Sequence, residues 1–315
     1  MDALSVKTDF YRFSVLGGDL RQVYLAKFLA RQGHEVTAYG LCSPAENSNG
    51  QMVTSAKTLK EAAEAADILL CPTPFLKEKK IFFHNSDAAA MPEFFLSSIR
   101  GGKLIFAGGI PKQFRSRLKD QGNEYIDLLE DETVAVRNSI ATAEGAIAEA
   151  IIRSPYNLGD SRCLILGYGR CGTALAAYLK CLCRSLTVCA RSSSARARAS
   201  VCADEVTDFK NLYRVLKRSD LIFNTIPCEI LNRHMIKHVP PESLILDLAS
   251  APGGVDLNAA GEYGVHAAAC PGLPGKYAPA ASASILAEAI LQKLSGRAHP
   301  AYTGTGHMIS GAPAD

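Results

Sequence analysis

Short apolar runs alternate along the chain with longer segments in which apolar residues recur every three or four positions, and the alternation starts afresh near residue 163. Strands need only about five residues while crossover helices need about ten or more, so this rhythm predicts βαβ units and parallel sheets. In the first half, Phe13-Ser-Val-Leu-Gly-Gly-Asp19 reads as a strand running into a turn, residues 20–32 as a helix closed by Gly33, and Glu35–Tyr39 as a second strand. Ile68–Cys71 and Lys103–Ala107 read as two more, ended by Pro72-Thr-Pro74 and Gly108-Gly109. Between Asn138 and Ile152, the residues Ile140, Ala143, Ile147 and Ile151 fall at near-helical spacing and Pro155 stops the pattern. This predicts a helix leading from one domain into the next.

The second half repeats the scheme, with strand 163–167, helix 170–183, strand Leu186–Ala190, helix 208–218, strand Asp220–Thr225, helix 229–238, and strands Ser243–Leu248 and Gly264–Ala268. Pro279–Leu294 is an Ala-rich helix with proline in its first turn, expected to pack back on the first domain. The predicted fold class is α/β, with two doubly wound parallel-sheet domains and a cleft between them. A flavodoxin- or Rossmann-like N-terminal domain spans 1–138 and is joined by the C-terminal helix 279–295; a Rossmann domain spans 139–278. Residues 296–315 hold almost no large apolar side chain and predict a flexible tail.

Composition narrows the classes. With 315 residues, 48% hydrophobic and 21% charged, the chain is neither disordered nor fibrous, and its length suits roughly two domains. The balance of 34 Lys+Arg against 31 Asp+Glu gives a net charge of only +3, dispersed along the sequence, so nucleic acid is not an expected partner. No apolar run approaches the roughly 18 residues of a membrane helix, and the opening MDALSVKTDF lacks the apolar core of a signal peptide; a cytoplasmic protein is expected. The ten cysteines contain no CxxC and fall mostly within apolar patterns, so they read as small buried hydrophobes of a reducing compartment. The seven histidines show no metal spacing, and no metal site is expected.

The sharpest chemistry lies at Cys163-Leu-Ile-Leu-Gly167-Tyr168-Gly169-Arg170-Cys171-Gly172, a strand running into GxGxxG and then a helix. In that context Gly167 serves a tight turn, Gly169 the close approach of a pyrophosphate and Gly172 the packing of helix on strand, while free helix N–H groups face the anion. An acidic residue about 20 positions on would accept the ribose 2′-hydroxyl of NAD. The following strand ends instead in Arg191-Ser192-Ser193-Ser194, with Arg196 and Arg198 beyond, which suits a 2′-phosphate and favours NADP(H); the other reading is a solvated basic loop. Gly17-Gly18-Asp19 resembles this turn but lacks the third glycine, so a second nucleotide site is not expected. Asp19 and Arg21 stand where open α/β sheets place ligands, as substrate contacts or as a structural salt bridge.

Other strand ends deliver polar groups to the same crevice. Thr225, Ile226 and Pro227 are expected along the cofactor's ribose and nicotinamide edge, and the loop after Leu248, including Ser250, beneath the nicotinamide. Lys276 lies in a Gly- and Pro-stiffened stretch before the last helix, where a cation and helix N–H groups can together hold a carboxylate. Thr142 and Glu144, at the start of the connecting helix, face the cleft from the other side. Glu144 is a candidate general acid or base, with an exposed capping carboxylate as the alternative.

Taken in order, Val15-Leu-Gly-Gly-Asp-Leu-Arg21, Asn138-Ser-Ile-Ala-Thr-Ala-Glu-Gly145, Leu166-Gly-Tyr-Gly-Arg-Cys-Gly172, Asn224-Thr-Ile-Pro227, Leu246-Asp-Leu-Ala-Ser250, Pro252-Gly-Gly254 and Pro271-Gly-Leu-Pro-Gly275 resemble the dehydrogenase-type (A) component of dipicolinate synthases, a family of two-domain NADP-type proteins of spore-forming bacteria. The resemblance implies oxidation of a dihydrodipicolinate-type cyclic imine dicarboxylate to pyridine-2,6-dicarboxylate in the mother-cell cytoplasm during sporulation. It implies the second, smaller, flavoprotein-like component of dipicolinate synthase as partner; a homo-oligomer is also expected. One departure is Ala141, where the family pattern calls for proline, and the polar tail is extra. An alanine-dehydrogenase-like imine or 2-oxo acid oxidoreductase and a non-catalytic NADP(H)-sensing protein are the competing expectations.

Overall fold

The computed structural model describes residues 10–43, 53–76, 79–84 and 91–297; the opening segment and the expected tail beyond 297 lie outside the described residues. In chain order the first half forms β1 (Arg12–Leu16), α1 (Leu20–Arg31), β2 (Glu35–Tyr39), β3 (Val53–Ser55), α2 (Leu59–Ala65), β4 (Ile68–Leu70), α3 (Pro92–Ser98), β5 (Leu104–Ala107), α4 (Lys112–Asp120) and β6 (Glu124–Asp127). A long helix, α5 (Glu132–Arg153), follows. The second half forms β7 (Arg162–Leu166), α6 (Arg170–Leu179), β8 (Ser185–Cys189), α7 (Ser193–Ala199), β9 (Glu205–Thr207), α8 (Leu212–Leu216), β10 (Leu221–Asn224), α9 (Arg233–Ile236), β11 (Leu244–Asp247), α10 (Leu257–Glu262) and β12 (His266–Ala269). Two helices, α11 (Leu273–Tyr277) and α12 (Pro279–Ser295), end the described chain.

The strands build two parallel six-stranded sheets, ordered β3-β2-β1-β4-β5-β6 and β12-β11-β10-β7-β8-β9. Both follow the doubly wound Rossmann order, in which the chain starts at the sheet centre and reverses direction once. That reversal leaves a crevice at the strand C-termini, between β1 and β4 in one sheet and between β7 and β10 in the other. Helices cover both faces, so the central strands are buried on both sides and read as unbroken apolar runs. Val15, Leu16, Leu69, Ile105 and Phe106, and Leu164, Ile165, Leu166, Ile222, Phe223 and Ile245 in the second sheet, are all inaccessible to solvent. The short edge strands β3 and β9 are only half-buried at best and carry little apolar signal, which is why the hydrophobic pattern passes over them.

The last helix returns to the first sheet. Ala283, Leu286, Ala287, Ile290 and Leu294 of α12 share one core with Val23, Ala26, Leu29 and Ala30 of α1. Alanines on both faces let the helices approach closely, and each buried Leu or Ile contributes roughly 1.5–3 kcal/mol.

Several predicted boundaries move. The connecting helix starts at Glu132, six residues before Asn138, because the Asp131 carboxylate caps it, accepting from Thr133 N at 3.0 Å and Val134 N at 3.3 Å. Ala141 therefore sits buried in the helix interior, where proline would cost about 3 kcal/mol. Helix 229–238 shrinks to α9 because the Asn232 side chain accepts from Met235 N and fixes the start. Among the cysteines, Cys71, Cys163, Cys189 and Cys270 are buried as expected, whereas Cys181 and Cys228 are exposed. Among the described residues no helix is long and apolar enough to cross a membrane.

Candidate functional site

The second sheet opens on its glycine turn. Gly167 has φ +95°, and a Cβ there would press on Thr225 Oγ1 at 2.5 Å and Ile226 Cγ1 at 2.8 Å. Gly169 is the N-cap of α6 and brings no side chain to cap it, and a Cβ added there would meet nothing within 4 Å. A Cβ at Gly172 would run into the Gly167 carbonyl oxygen, so only glycine lets the helix pack this close to the turn. The first N–H groups of α6 thus lack a side-chain acceptor and face open space, the arrangement that receives a phosphate at a helix N-terminus. The residues present fit a dinucleotide pyrophosphate.

Around the turn, Arg170 reaches Glu132 of α5 at 3.1 Å in a pair exposed on both sides, so its guanidinium is held only weakly. Tyr168 packs inward, its Oη 3.2 Å from Cys202 Sγ, and burial pushes its phenol up to about 12. Burial likewise raises the Cys171 thiol, so Cys171 is no thiolate at neutral pH.

At the tip of β8, Arg191 is exposed and its side chain has no polar partner among the described residues. Ser192 caps α7, its Oγ accepting from Ala195 N at 3.1 Å, and Ser193 is exposed beside it. Arg196 turns back and donates to the carbonyls of Ala190 (2.9 Å) and Arg191 (2.7 Å), stapling the tip in place. Asp208, which follows the neighbouring edge strand, accepts from Asn211 N and Nδ2 at 3.1 and 3.0 Å.

The loops after β10 and β11 complete the rim. Thr225 Oγ1 donates to Leu166 O at 2.9 Å, which ties it to the end of β7. Ile226 and Pro227 are half-buried and exposed respectively, Leu248 packs into the core, and Ser250 is exposed. Asn224 and Asp247, which end β10 and β11, are buried and turned towards each other, with Asn224 Nδ2 donating to Asp247 Oδ1 at 2.8 Å.

On the N-terminal side, Asp19 caps α1, accepting from Arg21 N at 3.0 Å, and its carboxylate takes Arg21 Nε and Nη2 at 2.9 and 2.7 Å. Gly275 of α11 lies directly against this pair. The helix start expected at Thr142 is absent, because α5 begins ten residues earlier; Thr142 Oγ1 donates to Asn138 O at 3.1 Å, and its side chain lies near enough to Cys171 at the head of α6 to oppose the effect of burial on that thiol. Glu144 accepts from Tyr178 Oη at 3.2 Å, two turns along α6 from the glycines, and is exposed. The site expectation separates here: Thr142 stays near the turn and Glu144 does not.

Lys276 also departs from expectation, since it belongs to a short helix and its Nζ lies 2.5 Å from Glu149 Oε1. Glu149 is almost fully buried on α5 and further accepts from Tyr277 Oη (2.9 Å) and Arg153 Nε (2.7 Å). The Lys276 bond above all, then those of Arg153 and Tyr277, hold its carboxyl down at about 2 against the opposing effect of burial. Sequence reasoning missed Glu149, whose one signal is a lone carboxylate in the apolar stretch Ala146-Ile-Ala-Glu-Ala-Ile151.

Residues 12–129 match the family model of the N-terminal domain of the dipicolinate synthase A component, and residues 135–245 that of the D-isomer specific 2-hydroxyacid dehydrogenase NAD binding domain. The chain is 29% identical to the dipicolinate synthase A component of Bacillus subtilis (strain 168), over 90% of its own length and 95% of that protein. The crystal structure of this component of dipicolinate synthase from Bacillus subtilis, 28% identical, superposes with a TM-score of 0.77 and coverage of 91% of this chain and 96% of that one. Its counterpart from Bacillus halodurans, 26% identical, gives a TM-score of 0.80 with coverage of 90% and 98%. The second sheet is thus a dehydrogenase-type domain for a nicotinamide cofactor, the apparatus of an oxidoreductase. In sequence, domain make-up and fold, the chain is similar to the A component of dipicolinate synthase through both of its sheets.

Proposed function

We propose that the protein is an NADP(H)-dependent dehydrogenase that oxidises dihydrodipicolinate to pyridine-2,6-dicarboxylate, with the flavoprotein-like second component of dipicolinate synthase as partner, in the mother-cell cytoplasm of a sporulating bacterium. The observation that carries the cofactor is the uncapped turn at Gly167–Gly172 beside a strand tip whose own polar residues are Arg191 and serines, the Asp208 carboxylate of the neighbouring strand's end being engaged by Asn211. The substrate class rests on the likeness to dipicolinate synthase.

In this reading the α6 N–H groups and Arg170, exchanging from Glu132, hold the diphosphate, and Arg191 with Ser193 holds the 2′-phosphate. Thr225, Ile226 and Pro227 bracket the nicotinamide ribose from one side, and Leu248 and Ser250 from the other. An oxidised nicotinamide held between these loops would supply the hydride acceptor. The ring that loses a hydride and a proton becomes aromatic, so the protein supplies orientation rather than an activated nucleophile, and the proton goes to water. Glu144, beside Tyr178, and Lys276, neutralised by Glu149, stand outside the chemistry. The substrate meets Thr142 and the Asp19–Arg21 pair across the crevice.

The test feeds freshly generated dihydrodipicolinate and NADP+ to the pure protein, with and without the flavoprotein-like component, and follows NADPH and dipicolinate absorbance together. Both signals should rise in step. Nucleotide binding with neither signal under either condition would replace the enzyme by a nucleotide-sensing protein.

A further inference from the structure

Asp247 is 4% exposed, at the C-terminal end of β11, and its carboxylate faces three neutral donors. Asn224 Nδ2 lies 2.8 Å from Oδ1, Gly254 N 2.8 Å from Oδ2, and Ala249 N 3.2 Å from Oδ1. Burying a carboxyl group among neutral partners is costly unless every lone pair is used, and these three bonds use both oxygens. The group therefore needs a reason to be acidic that stability alone does not give.

The neighbours supply one. With its Nδ2 fixed on Asp247, the Asn224 amide can orient only one way. It then donates to Ile226 O at 3.0 Å and accepts from Ile226 N at 3.2 Å. Ile226 in turn packs on Gly167, where a Cβ would meet its Cγ1 at 2.8 Å. On the other side, Gly254 is wedged against Asn224, Ile226 and Cys228, and its carbonyl accepts from Ile230 N and Leu231 N at 3.0 Å each. One carboxylate thus joins the loops after β10 and β11 and, through Ile226, the first glycine of the nucleotide turn.

We propose that Asp247 is a positioning residue: it touches no reacting atom and sets the two loops that grip the nicotinamide half of the dinucleotide. The proposal rests on the nicotinamide-site reading above. The adenosine half is set separately, by Arg196 stapling the β8 tip, so the two halves respond differently to a substitution.

Asp247→Asn keeps the shape and presents an NH2 group to donors that need an acceptor. Calorimetric titration would use the better bound of NADPH and NADH, with the matching adenosine fragment, 2′,5′-ADP or ADP. The full dinucleotide should weaken roughly ten- to hundredfold, as befits loss of hydrogen bonds to a charged group, while the fragment stays within about twofold. Dinucleotide and fragment falling together, or neither changing, would overturn the proposal. If Asp247→Asn does not fold, Asn224→Ala, which removes only the amide, must reproduce the split, and its failure to do so overturns the proposal equally. Wild-type protein that binds neither nucleotide nor fragment would overturn the cofactor reading first and this inference with it.

Discussion

The two halves of the chain wind the same sheet and leave its first strand through a glycine turn in the same place, and in both the first glycine donates to the end of the second strand, Gly17 N to Tyr39 O at 2.7 Å and Gly167 N to Cys189 O at 2.9 Å. Beyond that the turns diverge. Aligned on their helix caps, Asp19 stands where the second half has Gly169, and Gln22 where it has Gly172. The Asp19 carboxylate fills its own helix start and is matched by Arg21, an anion and its counter-ion built into the chain. The Gln22 side chain fills the space over Gly18, whose N–H is taken by Phe82 O at 2.7 Å, and Phe83 presses on Gly40 at the tip of β2. The second half has glycine at both aligned helix positions, Gly169 and Gly172, and puts Arg191 at its strand tip. The same fold gives a self-contained turn in one sheet and an anion receptor in the other, and the side chains at the two helix starts and strand tips separate them.

The largest effect should come from closing the open turn. Gly172→Val drives a side chain into the Gly167 carbonyl, and overpacking costs about 1–3 kcal/mol even where neighbours can yield. Nucleotide affinity should fall roughly hundredfold or more by fluorescence titration. The reverse change at the matching place, Gln22→Gly, should leave the stoichiometry at one nucleotide per chain, since Asp19 still occupies the helix start. A second bound nucleotide in that variant would dissolve the distinction between the turns.

Next in size is the strand tip. Arg191→Ala should weaken NADPH by about 1.5–3 kcal/mol, the loss of a hydrogen bond to a charged group, and leave NADH nearly unchanged. Equal losses for the two nucleotides in parallel titrations would mean that the tip does not read the 2′-phosphate, and that the contrast between the sheets ends at the glycines.

How much of this was legible in the sequence depended on whether a residue's role is local. Gly167, Gly169 and Gly172 are forced by a turn and a helix that adjoin in sequence, so GxGxxG after an apolar strand exposed the open turn directly. The missing third glycine marked the other turn as different, yet nothing adjacent in sequence said that Phe82 and Phe83, some 65 residues on, would plug it. For Lys276 and Glu144 the partners were hidden for the same reason. Each was placed by its neighbours in sequence, while its partner lies on a distant element: Glu149 is 127 residues from Lys276, and Tyr178 is 34 from Glu144. The start of α5 was missed because its cap, Asp131, lies in a polar stretch before the apolar period becomes regular.

The smallest effect probes what holds the self-contained turn in place. Gly275 of α11 rests on the Asp19–Arg21 pair, and α11 is tied to α5 by Lys276 and Tyr277 on the buried Glu149. The Glu149 carboxyl is held at about 2 in the folded protein, chiefly by Lys276, against about 4.3 in an unfolded chain. A depressed carboxyl stabilises the fold above its unfolded value and loses that contribution as pH falls towards the folded one, so the window runs from about pH 4.5 down to about 2. Lys276 is raised by the same bond and stays protonated throughout that window, so there the pair is broken by protonation of Glu149 alone. Glu149→Gln should therefore cost on the order of 1–2 kcal/mol at neutral pH by denaturant unfolding, and the gap to wild type should narrow from about pH 4.5 and close as the pH falls through about 2. Other carboxylates titrate in both proteins and cancel in the difference. A gap that stays constant across the acid range would assign the loss to packing rather than to the ion pair. Because the open turn shares no bond with Glu149, NADPH affinity at neutral pH should stay within about twofold of wild type; a larger drop would show that the two turns are coupled through α11.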